Sequence, residues 1–459
     1  MELRIDRQAM VPVVQQIVDA LVCAIRCNQM MPGARLPSVR AIARINMLSE
    51  SCVLQACERL VAQGALEPLQ RTGYIVAAPA PAVLDDAGWI GDAEYDPCRS
   101  SCDLQLGAGS LPESWRESDD LAYAIREVSR TDMAGLFNYS SGLGLPRLRQ
   151  QVLKCLKPLD IHVDESRILT TAGASQGLDL IVRALLKPGD CVVVENPGYP
   201  VLFALLRLHG VSLLQVPRTP LGPDLAVLET LFVEHRPRAF FINSFHHNPT
   251  GTSLAPEVAK QLLQLATEHD VRVIEDDVYA DLHSVCGKRL AALDDNVIYV
   301  GSYSKTLTSA LRVGFIVATA ETIERLAEVK MITSMGVSRF CESVLACLLA
   351  NGAYRKLVQR QRQRLNNDRL ALLQLLEDAE WEVFGKPVGG LFIWARSRMA
   401  DCAQVRAQAR RCGVLLSSTT AFCPDGADSG WQRINVACAG DPRARAFFQA
   451  TTPDRPQAF

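Results

Sequence analysis

One stretch breaks the composition of the chain. Residues 79–97, PAPAVLDDAGWIGDAEYDP, are rich in Pro, Ala, Gly and Asp and carry neither a helical nor a strand period. Such a stretch reads as a linker. The chain therefore cannot fold around one core. A segment of 78 residues, suited to one small domain, precedes a linker at 79–100, and residues 101–459 must build a larger body. Charge divides there too. The whole chain has a net charge of -2, but its first 78 residues hold eight Arg, no Lys and six acidic residues, a net +2. This excludes a polybasic chain that holds nucleic acid by charge excess, but not a small DNA-reading module in a larger acidic protein.

In the first segment Val14, Ile17, Val18, Leu21, Val22 and Ile25 recur at helical spacing. Met31-Pro32-Gly33 ends that helix. Leu36-Pro37-Ser38 opens a second, with Ser38 as N-cap and Val39, Ile42 and Ala43 facing inward. Ser49 caps a third helix through Leu60, and Ala65 to Val76 holds two strand-like runs around Arg71-Thr72-Gly73. Two helices, a short turn and a two-stranded wing make a winged helix-turn-helix. The segment resembles the GntR-type winged-helix domain. The likeness rests on Pro32-Gly33-x-Arg35-Leu36-Pro37-Ser38-x-Arg40, on Ser49 to Val53 and on Leu60-x-x-x-Gly64. It implies binding of double-stranded DNA through Arg35, Ser38, Arg40, Ser49, Ser51 and Thr72. Glu50 and Cys52 stand where the family usually has Arg and Thr. Glu50 would repel phosphate or accept from a cytosine amino group.

From about residue 101 short apolar runs alternate with helical patterns. Ile168 to Thr170, Cys191 to Val194, Ala239 to Asn243, Val271 to Ile274 and Val297 to Val300 read as strands, with helices such as Gln176 to Leu186 and Pro256 to His269 between them. This predicts an α/β fold with a mostly parallel sheet, whose ligands bind beyond the carboxyl ends of the strands. Polar clusters sit at those ends. Gly173-Ala174-Ser175-Gln176 opens a helix and can cradle a phosphate. Glu195-Asn196-Pro197-Gly198-Tyr199 presents an aromatic ring, and Asn248-Pro249-Thr250-Gly251 an amide. Glu275-Asp276-Asp277 places three carboxylates in a row, which calls for a cation. Gly301-Ser302-Tyr303-Ser304-Lys305-Thr306, with Arg312 beyond, sets an amine among hydroxyls. The chain has only nine Lys against 39 Arg, so Lys305 stands out as a nucleophilic amine. The His246-His247 pair has no third ligand spaced nearby, and no metal is expected.

Together these groups suffice to hold pyridoxal 5'-phosphate, and residues 101–452 resemble a fold-type I, aspartate-aminotransferase-like domain with a small C-terminal lobe from about 340. The resemblance implies that Lys305 is the Schiff-base lysine and Asp276 the partner of the pyridine nitrogen. Tyr279 and Asn248 would bond the ring oxygen, and Tyr199 would stack on the ring. Ala174, Ser175, Ser302, Ser304 and Arg312 would bind the phosphate. Tyr139, in Tyr139-x-x-x-x-Gly144-x-Pro146, resembles the tyrosine that reaches the neighbouring subunit's phosphate, and Arg433 the arginine that clamps an α-carboxylate. Ser309-Ala310 replaces a common Pro-Gly just before Arg312.

A GntR-type reader fused to such a domain resembles the MocR family of transcriptional regulators. The likeness implies a bacterial regulator, dimeric and head-to-tail, that senses a small amine or amino-acid effector at Lys305 by transaldimination. The alternative is a functional aminotransferase with an accessory DNA-binding domain. Fifteen scattered Cys without a C-x-x-C pair, and a charged N-terminus, fit buried thiols in a reducing cytoplasm. The longest uncharged run, Ala239 to Pro256, is too polar for a membrane span.

Overall fold

The computed structural model describes residues 12–26, 30, 33–62, 66–69, 73–76, 104–115, 118–282, 287–385, 387–398 and 401–451. The linker at 79–100 and Thr72 lie outside the described residues. The chain divides into two compact units.

In the N-terminal unit three helices, α1 (Val13–Arg26), α2 (Val39–Ile45) and α3 (Glu50–Ala62), precede a hairpin of β1 (Leu66–Leu69) and β2 (Gly73–Val76). Ile17 and Leu21 of α1, Ile42 of α2, and Val53 and Leu60 of α3 share one buried core. Ser38 caps α2, accepting from Ala41 N at 3.2 Å, and Ser49 caps α3, accepting from Cys52 N at 3.2 Å. The expected winged helix-turn-helix is present.

The second unit runs β3 (Leu104–Gln105), α4 (Ser118–Thr131), α5 (Pro146–Leu156), β4 (Ile168–Thr171), α6 (Ala174–Leu185), β5 (Cys191–Asn196), α7 (Pro200–Leu208), β6 (Ser212–Thr219), β7 (Gly222–Pro223), α8 (Leu225–His235), β8 (Ala239–Ile242), α9 (Pro256–Glu268), β9 (Arg272–Asp276), β10 (Ile298–Ser302) and β11 (Gly314–Val317). There follow α10 (Ala320–Ser334), α11 (Arg339–Ala350), α12 (Ala353–Asp378), β12 (Trp381–Val383), β13 (Phe392–Ser397), α13 (Cys402–Arg411), β14 (Val414–Leu415), β15 (Gln432–Asn435) and α14 (Pro442–Ala450).

The main sheet has the order β4-β11-β10-β9-β8-β5-β6-β7. Neighbours from β10 through β6 pair in parallel, while β11 runs antiparallel to both β10 and β4. Its central strands are unbroken apolar runs because helices cover both faces. In β5 the pleat sends Val192 and Val194 into one core and Val193 into the opposite one. The small lobe is an antiparallel sheet, β12-β13-β15. α11 still packs on the large lobe through Leu345 and Ala346, as does the start of α12 through Tyr354 and Val358. Only from Leu365 does α12 enter the small-lobe core. The change of lobe therefore falls within this 26-residue helix rather than near residue 340.

Candidate functional site

Register gathers the polar clusters at one edge of the sheet. Asp276 at the end of β9 lies beside Val300, Ser302 at the end of β10 beside Gly314, and Gly314 beside Thr171 at the end of β4. The loops after β4, β5, β8, β9 and β10 therefore open on the same side.

The three consecutive carboxylates separate by pleat. Asp277 accepts from Arg289 Nε at 2.7 Å and from the Tyr299 hydroxyl at 3.0 Å. Glu275 instead accepts from Ser244 Oγ at 2.6 Å and from the amides of Leu290 and Ala291 at 3.0 and 2.9 Å. Asp276 faces the site, and its buried Oδ1 has no hydrogen-bond partner. Burial pushes the Asp276 carboxyl up to about 7, with the Val278 amide and Lys305 pulling the other way. Burial, then the charge of Asp277, lifts Glu275 to about 7 as well. The cation expected for this run is Arg289, which among the three carboxylates bonds Asp277.

Lys305 donates through Nζ to Gly109 O at 2.9 Å. Around it, Ser304 N donates to Ser302 Oγ at 3.2 Å, and the buried Ser304 Oγ has no partner. Arg312 reaches across to Ala172 O at 3.2 Å, just before α6. That helix opens at Gly173 with no side-chain cap, leaving its first amides for an anion. Gly173 has φ +81°, and a Cβ there would press on the Arg312 guanidinium at 2.7 Å. Ala174, Ser175, Ser302, Ser304 and Arg312 thus border one cradle. The Ser309-Ala310 replacement is absorbed by a short turn capped by Thr308, after which Arg312 adopts φ +48°.

Arg433, 3% exposed, donates from Nη1 to Asn248 Oδ1 at 2.9 Å and from Nε and Nη2 to Gly107 O at 3.0 and 2.8 Å. Its guanidinium also lies over the rings of Phe392 and Phe422, 4.7 and 4.9 Å from their centroids. Tyr279 is buried edge-on against Phe392, and Tyr199 heads α7, partly buried. Tyr139 stands apart. It is 78% exposed and bonds to no other site residue among the described residues.

Sequence reasoning missed several groups. Asn243 ties three strand ends together. Its amide N donates to Glu195 Oε2 at 2.8 Å, its Oδ1 accepts from Asn248 N at 2.6 Å and its Nδ2 donates to Asp276 O at 2.7 Å. Beneath it burial works against the Glu195 charge, but Arg218 and His247 outweigh it and hold that carboxyl down to about 2. His247 is thereby used in the fold. Tyr354 of α12 bridges Asp281 and Thr306, the residue after Lys305. The signal for these groups was their polarity within strand-end or helical apolar runs, but not their partners.

In the N-terminal unit Arg35, Ser38, Arg40, Ser49 and Ser51 are all exposed on α2, α3 and the approach to them. Ser38 and Ser49 are spent as helix caps. Arg40 Nε lies 3.5 Å from Glu50 Oε2, so the family departure at Glu50 is answered inside the chain by one of the expected DNA-contacting cations.

The orphaned Asp276 oxygen, the orphaned Ser304 hydroxyl and the uncapped α6 amides fit a flat cationic ring carrying a phosphate. A strand-end lysine, a buried carboxylate and an anion cradle on a mostly parallel sheet define a pyridoxal-phosphate-dependent, aminotransferase-type domain, here behind a winged-helix reader. The chain belongs to the aminotransferase class I and II family, whose model matches residues 103–446, and residues 13–76 match the model of bacterial regulatory proteins of the gntR family. The chain is 27% identical over 417 residues to the uncharacterized HTH-type transcriptional regulator YisV of Bacillus subtilis, covering 85% of each. It is 32% identical over 298 residues to the 2-aminoadipate transaminase of Thermus thermophilus, covering 62% of this chain and 73% of that one. Among solved structures, LysN, the alpha-aminoadipate aminotransferase of Thermus thermophilus, superposes with a TM-score of 0.70 at 26% identity, covering 76% of this chain and 93% of that one. Among the described residues no helix is long and apolar enough to cross a membrane.

Proposed function

We propose that the protein is a transcriptional regulator. It binds double-stranded DNA through the N-terminal unit and senses an amino acid or related amine at a pyridoxal 5'-phosphate site. The observation that carries this reading is the presence in one chain of a DNA-reading fold and a lysine–aspartate–anion-cradle site with no catalytic group missing. A free-standing transaminase has no use for the first, and a simple repressor has none for the second.

Pyridoxal phosphate supplies an electron sink for an amine bound to it. The chain's own residues do the rest. Asp276, whose buried Oδ1 has no partner, would hold a proton on the cofactor's ring nitrogen. Ser175, Ser302, Ser304, Arg312 and the amide of Ala174 would hold the phosphate. Tyr199 would cover the ring, Tyr279 and Asn248 would bond its oxygen, and Lys305 would supply the amine that holds the cofactor. Arg433 orients the ligand's carboxylate by a bidentate pair. In a head-to-tail homodimer Tyr139 would reach the partner subunit's phosphate. Two readers in one dimer raise the affinity that a few Arg contacts supply. The reader and the bacterial relatives fit a cytoplasmic protein.

The test pairs two readouts on the full chain. A bound-cofactor absorbance band should shift with an effective amine, and the same amine should change the footprint on the protein's own upstream DNA. K305A should abolish both responses. If K305A leaves the ligand-dependent footprint unchanged, the reading fails. The likeness to the transaminase favours one alternative, an enzyme with an accessory reader. Turnover of amino and keto acids at a kcat of roughly 1–10³ s⁻¹ would establish it.

A further inference from the structure

Four consecutive backbone carbonyls, from Gly107 to Ser110, are each captured by side chains of the site. Gly107 O accepts from Arg433 Nε and Nη2 at 3.0 and 2.8 Å and from Ser417 Oγ at 2.6 Å. Asn435 Nδ2 spans Ala108 O and Ser110 O at 2.8 and 2.7 Å. Lys305 Nζ takes Gly109 O at 2.9 Å. Strand-like bonding stops just before this segment, where Asn435 N donates to Leu106 O at 2.8 Å and Gly107 N to Leu415 O at 3.1 Å. Beyond it, side-chain donors stand in for a ladder. Approach is close enough that a Cβ at Gly107 would run into the Ser417 backbone.

Surface connections usually satisfy their carbonyls with water or with their own amides. Here an arginine, a lysine, an asparagine and a serine do so instead. Arg433 and Lys305 are the residues assigned above to the effector's carboxylate and to the cofactor. A charged carboxylate, able to pair bidentately, attracts the guanidinium more strongly than a neutral carbonyl does. Arg433 already gives a hydrogen from each of its three nitrogens to Gly107 and Asn248, so a carboxylate arriving at the guanidinium competes with these two neutral acceptors for it. Gly107 O, a neutral acceptor that Ser417 can still hold, is the one that yields. Lys305 can reach Gly109 only while its amine is not committed to the cofactor.

We infer that residues 107–110 are a strap that reports what the site holds, and that Asn435 and Ser417 are its positioning residues. The inference rests on the cofactor and effector reading above and adds a backbone segment whose bonding changes with occupancy. A ligand carrying both an amine and a carboxylate draws Arg433 away from Gly107 and loosens the strap. An amine without a carboxylate leaves Arg433 on Gly107 and does not loosen the strap; either ligand frees Lys305 to return to Gly109, so the carboxylate alone makes the difference. Effectors are then α-amino acids rather than simple amines.

Hydrogen–deuterium exchange of the full-length, cofactor-loaded protein tests this on peptides spanning residues 104–115. An equimolar pool of the twenty standard amino acids should speed exchange there about tenfold, and n-butylamine should not. N435A removes two bonds to the strap, each worth a factor of roughly 2–10. It should speed strap exchange about tenfold without ligand while the cofactor band persists. If N435A does not fold, S417A, which removes one bond, should show a smaller rise of the same sign. If amino acids shift the cofactor band but exchange in 104–115 is unchanged or slower, the strap is refuted while the site reading stands. If no ligand shifts the band, the site reading falls and the strap with it.

Discussion

Replacing Asp276 by Asn tests the burial argument. Burial lifts this carboxyl from the ordinary 3.8 to about 7 in the folded protein. A rise of that size disfavours the ionised form by about 4 kcal/mol. The folded chain holds this proton more tightly than the unfolded one. The stability it contributes is therefore complete below pH 3.8 and is lost as pH rises to about 7, at about 1.4 kcal/mol per pH unit. D276N has no proton to lose. Its stability relative to the parent should climb by about 4 kcal/mol between pH 4 and pH 8, whatever its absolute value at pH 4. Urea denaturation of cofactor-stripped protein at each pH, followed by tryptophan fluorescence, measures the difference. Taking the difference cancels Glu275, which is also lifted to about 7 and contributes the same slope to both proteins. With pyridoxal phosphate restored the slope should flatten, because a protonated ring nitrogen beside Asp276 stabilises its charge. A difference that stays flat from pH 4 to pH 8 in the stripped protein would refute the claim that Asp276 is held near neutrality by burial.

Two further outcomes are expected. E50Q should release Arg40 from its ion pair with Glu50, an exposed contact at 3.5 Å. DNA affinity should rise, and the plot of log affinity against log salt should steepen by about 0.9, one phosphate contact, in fluorescence anisotropy titrations. Y354F removes the hydroxyl that joins Asp281 to Thr306 Oγ1, the latter at 2.5 Å, beside Lys305. It should cost about 1–3 kcal/mol in thermal stability and speed cofactor loss on dilution. An unchanged off-rate would show that α12 does not steady the lysine loop.

Much of this architecture was legible because parallel strands buried on both faces must be apolar throughout. Val192 to Val194 and Phe240 to Ile242 announced themselves, and the polar residues that followed marked the ligand edge. Caps were equally plain, since Ser38 and Ser49 each precede an apolar period. What stayed hidden was pairing over distance. Gly107 and Arg433 are 326 positions apart and meet only because β15 brings Arg433 beneath the start of the domain. Nothing at Asn243 distinguishes it from any other strand-end amide until β5, β8 and β9 are laid side by side. The three carboxylates at 275–277 were readable as a problem but not as a solution. Alternate pleating gives Glu275 backbone amides and Asp277 an arginine twelve residues on, and leaves only Asp276 for a ligand.

Tyr139 shows how burial elsewhere can explain an exposed residue. An exposed tyrosine on a loop ordinarily needs no support. Yet the loop behind this one is pinned from two helices. Glu342 of α11, fully buried, accepts from Ser140 Oγ, from Leu145 N at 3.2 Å and from Thr170 Oγ1 at 2.5 Å. Lys330 of α10, fully buried as well, donates to Gly142 O at 2.9 Å, and burial draws its pKa down to about 8. Burying a lysine and a glutamate is costly unless their bonds are made, and here those bonds are made to the loop that carries Tyr139. The chain that follows Tyr139 is thus fixed at Ser140, Gly142 and Leu145, while the ring itself is left 78% exposed. In the head-to-tail dimer proposed above Tyr139 would complete the partner subunit's phosphate site, and Glu342 and Lys330, far from the reactive lysine in sequence, would be residues on which that completion depends.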